Sequence, residues 1–166
     1  LLNIFLSIFL LSCNSIQNIN LKKIEDKQKY TTLFDNNIEI SYLSDGSFLD
    51  LQITYIDKVK IDLPGSIDIA TSDAIVDSKK IIKTFLESIE KKDKETFKEK
   101  ITKTLVINLD LNTKDTDEVS IRLSQNLKNQ KKEILDSLFL KRKIYYRESK
   151  TVTVVLKTSN KLEKTL

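Results

Sequence analysis

Ile38-Glu39-Ile40-Ser41-Tyr42-Leu43-Ser44-Asp45-Gly46-Ser47-Phe48-Leu49-Asp50-Leu51-Gln52-Ile53-Thr54-Tyr55 is the stretch that decides the fold. Ile38, Ile40 and Tyr42 alternate with Glu39 and Ser41, a period of two that sends successive side chains to opposite faces of a strand. Ser44 to Ser47 is a turn signal, because Asp-Gly accepts the positive φ of a tight hairpin. Leu49, Leu51, Ile53 and Tyr55 then alternate with Asp50, Gln52 and Thr54. The spacing predicts antiparallel strands with one wet face. Val59, Ile61 and Leu63 alternate with Lys58, Lys60 and Asp62, which predicts a third strand, and Pro64-Gly65 ends the meander.

Working downstream, the period changes. Thr71-Ser72-Asp73 offers an N-cap. Beyond it Ile75, Ile82, Phe85, Leu86 and Ile89 fall on one helical face. Asp93 reads as a second N-cap, opening a short helix with Phe97 and Ile101 inward. Leu105, Ile107, Leu109 and Leu111 alternate again and predict a fourth strand. Asp115 and Glu118 have capping-box spacing. They open the longest predicted helix, to about Leu140, with Val119, Leu123, Leu127, Ile134 and Leu138 as its apolar stripe. Ile144 to Arg147 and Thr151 to Lys157 predict a closing hairpin, of which the β-branched run Thr151-Val152-Thr153-Val154-Val155 is the plainest strand. The expected class is α+β: an antiparallel sheet with two or three amphipathic helices packed on one face.

Upstream the pattern is different. Residues 14 to about 36 are rich in Asn, Lys, Gln and Thr, with Ile16, Ile19, Leu21 and Ile24 scattered out of period, and read as a tether. Before them, Leu1 to Leu11 read LLNIFLSIFLL, interrupted only by Asn3 and Ser7, and Ser12-Cys13 closes the run. About 20 apolar residues are needed to span a bilayer, so this run is too short to cross. Its length suits the apolar region of a secretory signal peptide. The basic segment expected before it is absent and no Met opens the chain, which suggests a non-AUG start or a truncated end.

Leu10-Leu11-Ser12-Cys13 resembles a lipobox, the processing signal of bacterial lipoproteins, in the looser form with Ser before Cys found among spirochaetes. The resemblance covers about 15 residues. It implies a diacylglycerol on the Cys13 thiol, cleavage before Cys13, and a membrane anchor outside the cytoplasm, the outer membrane or cell surface above the inner membrane. The organisation expected is then a signal peptide over 1–12, a lipidated tether over 13–36 and a single domain over 37–166. A second resemblance lies in Ile81 to Ile101, IIKTFLESIEKKDKETFKEKI, which is similar to the helical opening of nuclear-transport-factor-2-like, cystatin-related domains. It implies a cone-shaped fold able to hold a small ligand. The chain departs from that pattern in placing three predicted strands before the helices and few after them.

Composition limits the chemistry. The 166 residues include 25 Lys, 21 Ile and 11 Asn against 2 Gly, 2 Ala and 3 Arg. That skew points to an AT-rich genome, so lysine abundance alone argues for no basic function. The net charge of +4 is mild; nucleic-acid binders carry a stronger, clustered excess, and none is expected here. There is no His and one Cys. Intrachain disulfides, Cys/His zinc sites and His-based triads are therefore excluded. The acidic groups Asp45 with Asp50, and Asp115 with Asp117 and Glu118, match no calcium loop and suit turns and helix N-termini. No catalytic, metal or cofactor site is expected, and the protein is read as a non-enzyme that binds a protein or polyanionic macromolecule at the envelope or cell surface. The alternatives are a structural or assembly role in the periplasm, or a small-ligand carrier of the cone-shaped kind. Its candidate anion-binding patch is Lys128, Lys131, Lys132, Lys141, Arg142 and Lys143, for sulfated polysaccharide, anionic headgroups or another polyanion. Glu133, Asp136 and Glu148 interrupt it, as in an ordinary solvated face. Tyr145 and Tyr146 read as one inward and one outward residue of an edge strand.

Overall fold

Ile38, Ile40 and Tyr42 are all fully buried, as their alternation requires, and they lie in a five-stranded antiparallel sheet. The computed structural model describes residues 28–91, 94–109 and 113–159. The strands are β1 (Lys29–Phe34), β2 (Ile38–Leu43), β3 (Phe48–Lys58), β4 (Leu138–Tyr146) and β5 (Thr151–Thr158), in the order β1-β2-β3-β5-β4. Between β3 and β4 run four helices, α1 (Pro64–Lys91), α2 (Lys94–Leu109), α3 (Thr113–Asn129) and α4 (Lys131–Asp136). The class is α+β, as the patterning predicts.

The three-stranded meander exists, but its members differ from the expectation. The segment read as tether contains β1, in which Tyr30, Thr32 and Phe34 are buried. The domain therefore begins by Lys29, not at 37. Thr32 can occupy an inward position because its hydroxyl bonds the Tyr42 hydroxyl at 2.9 Å and the Thr104 hydroxyl at 3.0 Å. The expected strand at 59–63 is not one. β3 ends at Lys58, and the following residues form a link with Ile61 and Leu63 exposed. Asp62 ties that link to β4, accepting hydrogen bonds from the Tyr145 hydroxyl at 2.8 Å and Arg147 Nε at 3.1 Å. Pro64 starts α1 rather than ending a strand, since Pro lacks the N–H that a first helical turn leaves unpaired.

A bulge adjusts the β2–β3 register. Ile38 pairs with Ile53 and Ile40 with Leu51, but Tyr42 pairs with Phe48, so Leu49 is the extra residue. Phe48, rather than Leu49, thereby faces the core. Gly46 makes the connecting turn with φ +82°; a Cβ there would lie 2.7 Å from the Val119 carbonyl oxygen, so the turn rests directly on α3. Asn126 completes the joint by donating from Nδ2 to the Gly46 carbonyl at 2.9 Å.

The helices cover the face of the sheet that carries Tyr30, Ile40, Leu51 and Leu156. Ile82, Leu86 and Ile89 of α1 enter this core with Phe97, Ile101 and Leu105 of α2. The last three are spaced by four, and that inward row continues the helix through the segment expected to be a fourth strand, to Leu109; residues 110–112 of that expectation lie outside the described residues. The predicted cap at 71–73 lies inside α1, where the Thr71 and Ser72 hydroxyls donate back to the carbonyls of Ile67 and Asp68 at 2.7 and 3.0 Å. Asp93 lies outside the described residues. The long final helix is two, α3 and α4, parted at Gln130, and β4 starts at Leu138. Its predicted stripe from Val119 to Leu138 is nonetheless buried throughout. Tyr145 packs against a smaller cluster around Val152 and Val154, while Tyr146 on the edge strand is exposed.

Candidate functional site

At the end of β1 the chain reverses through Asp35–Asn37, where Asn36 and Asn37 take φ of 59° and 54°. Asparagine tolerates this left-handed region better than other non-glycine residues. The reversal leaves Phe34 at the base of a cleft between α1 and α2. Its ring stacks on Phe97 of α2, with centroids 5.2 Å apart and planes 10° from parallel. Phe85 of α1 meets the same ring at 5.2 Å and 59°. Three aromatic rings from three elements thus make one apolar floor.

The cleft has a volume of about 590 Å³, within the range of small-molecule sites. On α1 its wall is Lys80, Ile81, Thr84, Phe85, Ser88 and Ile89, pairs of neighbours recurring every four residues, so one strip of the helix surface faces it. On α2 it is Thr96, Phe97 and Lys100. Lys100 Nζ stands 5.7 Å from the Phe34 ring centroid and 2.7 Å from the Asp35 carboxylate, holding the reversal against α2. The Ser88 hydroxyl donates to the Phe85 carbonyl at 2.8 Å and keeps its oxygen as an acceptor toward the cleft. An aromatic floor with a rim of hydroxyls, an ammonium and a carboxylate suits a ligand with an apolar body and a polar end. A smaller cavity of about 140 Å³ lies on the other side of Phe97, between α2 and α3.

The candidate basic patch is distributed over several surfaces. Lys128 ends α3 and Lys131 and Lys132 open α4, where Lys131 pairs with Glu87 of α1 at 3.5 Å. Lys141 and Arg142 lie on the side of β4 away from the helices, with Lys141 donating to Gln52 Oε1 at 3.1 Å. Lys143 lies on the helix side and pairs with Asp68 at 3.3 Å. The acidic residues are structural: Asp45 accepts the Ser47 N–H in the turn, Asp50 pairs with Lys29 and Lys157, and Asp117 pairs with Lys98, whose ammonium it holds above the usual lysine range chiefly through that hydrogen bond. Cys13 lies outside the described residues. Among the described residues no cluster of Cys, Asp or Glu is placed to hold a metal ion, and no helix is long and apolar enough to cross a membrane.

Phe85 and Phe97 are inward by helical spacing alone, but Phe34, the third ring of the cleft, lies in a stretch whose composition reads as tether. The alternation of Tyr30, Thr32 and Phe34 was the signal that would have found it. Compared with known proteins, the chain matches no family model, no curated protein and no solved structure.

Proposed function

We propose that the protein is a bacterial envelope lipoprotein, held outside the cytoplasm by lipid on Cys13, whose α+β domain works by binding rather than by catalysis. The observation that carries the binding reading is the cleft floored by Phe34, Phe85 and Phe97. Its ligand is a small amphiphile, with an apolar or aromatic portion against the three rings and a polar end among the hydroxyls and Lys100. The address rests on the lipobox resemblance of Leu10 to Cys13 and on the polar stretch after it. Two acyl chains are enough for a stable anchor.

Each half has its own test. Metabolic labelling with palmitate, comparing the chain with Cys13→Ala, reads the anchor: label lost in the variant supports it, and no label in either, in a host competent for lipidation, overturns it. Titration with a fluorescent fatty acid reads the cleft. Saturable binding that Thr84→Trp abolishes supports the reading, since Thr84 is exposed on the cleft wall and a larger side chain fills the space. Failure to bind that probe and a panel of aromatic carboxylates removes the small-amphiphile reading.

A further inference from the structure

We propose that the open face of the sheet, opposite the helices, is a docking surface for an anionic lipid bilayer. Strand register places the residues. Ile56 pairs with Thr153 and Thr153 with Ile144, so one row crosses β3, β5 and β4. The next row toward the hairpin turn is Lys58, Thr151 and Tyr146, and the row on the other side is Thr54, Val155 and Arg142. Partner side chains in such rows sit about 5 Å apart, so the rows form one surface.

That surface is apolar at its centre and cationic around it. Ile56 is 58% and Tyr146 49% exposed, on the face where charged side chains would ordinarily stand, with Val155 and Ile144 beside them; Phe139, 45% exposed, stands on the same face beyond Lys141 and Arg142. Scattered exposed apolar residues need no explanation, but a contiguous set marks an interaction surface. Lys58, Lys141, Arg142 and Lys157 surround it, against two carboxylates on the same face, Glu39, whose register partner is Gln52, and Asp50, which Lys29 and Lys157 already occupy. Lys141 bonds a neutral amide, so its charge is not cancelled. Arg142 is brought to this face by a second bulge, which shifts the register between Leu140 and Arg142 and puts two consecutive cations, Lys141 and Arg142, on the same side.

The chemistry selects the occupant. A second copy of the chain would oppose cation to cation across the same face. A polyanion would use the charges and leave Ile56, Ile144 and Tyr146 in water. An anionic bilayer satisfies both parts: aromatic and aliphatic side chains settle at the headgroup boundary, and cations pair with the phosphates. This goes beyond the lipid anchor, because it is a property of the folded sheet and needs no acylation.

The test uses the chain from residue 13 onward with Cys13→Ala, which lacks both the apolar leader and the lipid and removes no described residue. Sedimentation with phosphatidylcholine vesicles containing phosphatidylglycerol, and not with phosphatidylcholine alone, is the expected result. Lys141→Gln with Arg142→Gln weakens binding about thirtyfold, at roughly fivefold per cation. In the same background Tyr146→Trp shows a blue-shifted emission on the anionic vesicles and none on heparin. No sedimentation with anionic vesicles at low salt overturns the proposal. So does binding that Ile144→Ser with Tyr146→Ser leaves unchanged, which would make the face a general polyanion site, and so does a dimer in sedimentation velocity that buries Tyr146. Because the variant carries no lipid, the outcome is separate from that of palmitate labelling.

Discussion

Tyr30 and Tyr42 face each other across β1 and β2, with ring centroids 6.1 Å apart, yet only one of the two hydroxyls is bonded. Tyr42 meets the Thr32 hydroxyl at 2.9 Å. The Tyr30 hydroxyl is buried with no hydrogen-bond partner among the described residues. Leaving a buried hydroxyl unbonded costs about 1–3 kcal/mol, while a made bond contributes about 1 kcal/mol. Opposite outcomes follow for the same chemical change. Tyr30→Phe leaves stability unchanged or raises it by up to about 1 kcal/mol, and Tyr42→Phe lowers it by about 1 kcal/mol. Urea unfolding of the two variants checks the sign; equal losses would show that the Tyr30 hydroxyl is bonded in solution.

The same pair contributes to the alkaline limit. Burial pushes both phenols above their ordinary value; for Tyr42 the Thr32 hydrogen bond opposes this and neighbouring Tyr30 adds to it. A raised folded-state pKa means that the native state keeps protons the unfolded chain releases above about pH 10. Their contribution is fully present below that pH and is lost as pH rises through the folded values. Stability therefore falls above about pH 10, and the fall is shallower in Tyr30→Phe than in the parent chain. Denaturant midpoints measured from pH 8 to 11 test it.

The turn over α3 gives a third expectation. Gly46→Ala forces a side chain into φ +82° and against the Val119 carbonyl, which is backbone and cannot rotate away. Strain of the left-handed conformation alone is about 1–2 kcal/mol, so a loss of about 2 kcal/mol or more is expected. Asn126→Ala, which removes only the hydrogen bond to the Gly46 carbonyl, costs about 1 kcal/mol. A smaller loss for Gly46→Ala than for Asn126→Ala would mean that the turn lifts off the helix at little cost.

Phe34 belongs both to the core and to the cleft, so its truncation is felt twice. Phe34→Ala lowers stability by about 3–5 kcal/mol and removes the ring on which Phe97 stacks. Lys100→Ala breaks a surface pair with Asp35 and a cation–π contact with Phe34, each worth under about 1 kcal/mol at so exposed a site. If Lys100 also receives the ligand's polar end, Lys100→Ala weakens fatty-acid binding while melting close to the parent, and calorimetry on both variants separates the two effects.

What could be read in the sequence was the part governed by local period. Ile38 to Tyr42, the β-branched run of β5 and the stripe from Val119 to Leu138 announce their faces because each alternates or recurs without interruption. Where two periods overlap, tertiary packing decided. Leu105, Ile107 and Leu109 alternate like a strand, but Phe97, Ile101 and Leu105 also recur by four, and the core accepted the second pattern. β1 was hidden for another reason. Its inward Thr32 looks polar until Tyr42 and Thr104 supply its hydrogen bonds, and those partners are distant in sequence. Likewise the link at 59–63 alternates by chance of composition, in a chain so rich in Ile, Leu and Lys that short alternations arise without a sheet to use them.

β1 is both the first strand and an outer one, and this gives the fold a weak direction under load. Tension carried along the N-terminal segment enters at Lys29, the end of β1 farthest from its turn into β2. From there the bonds to β2 open one after another, from Leu43 toward Ile38, like a zipper rather than all at once as in shear. The last residue to come free is Phe34, the shared floor of the aromatic cleft. Pulling on the leading segment thus reaches the aromatic cleft before it reaches β3 and β5.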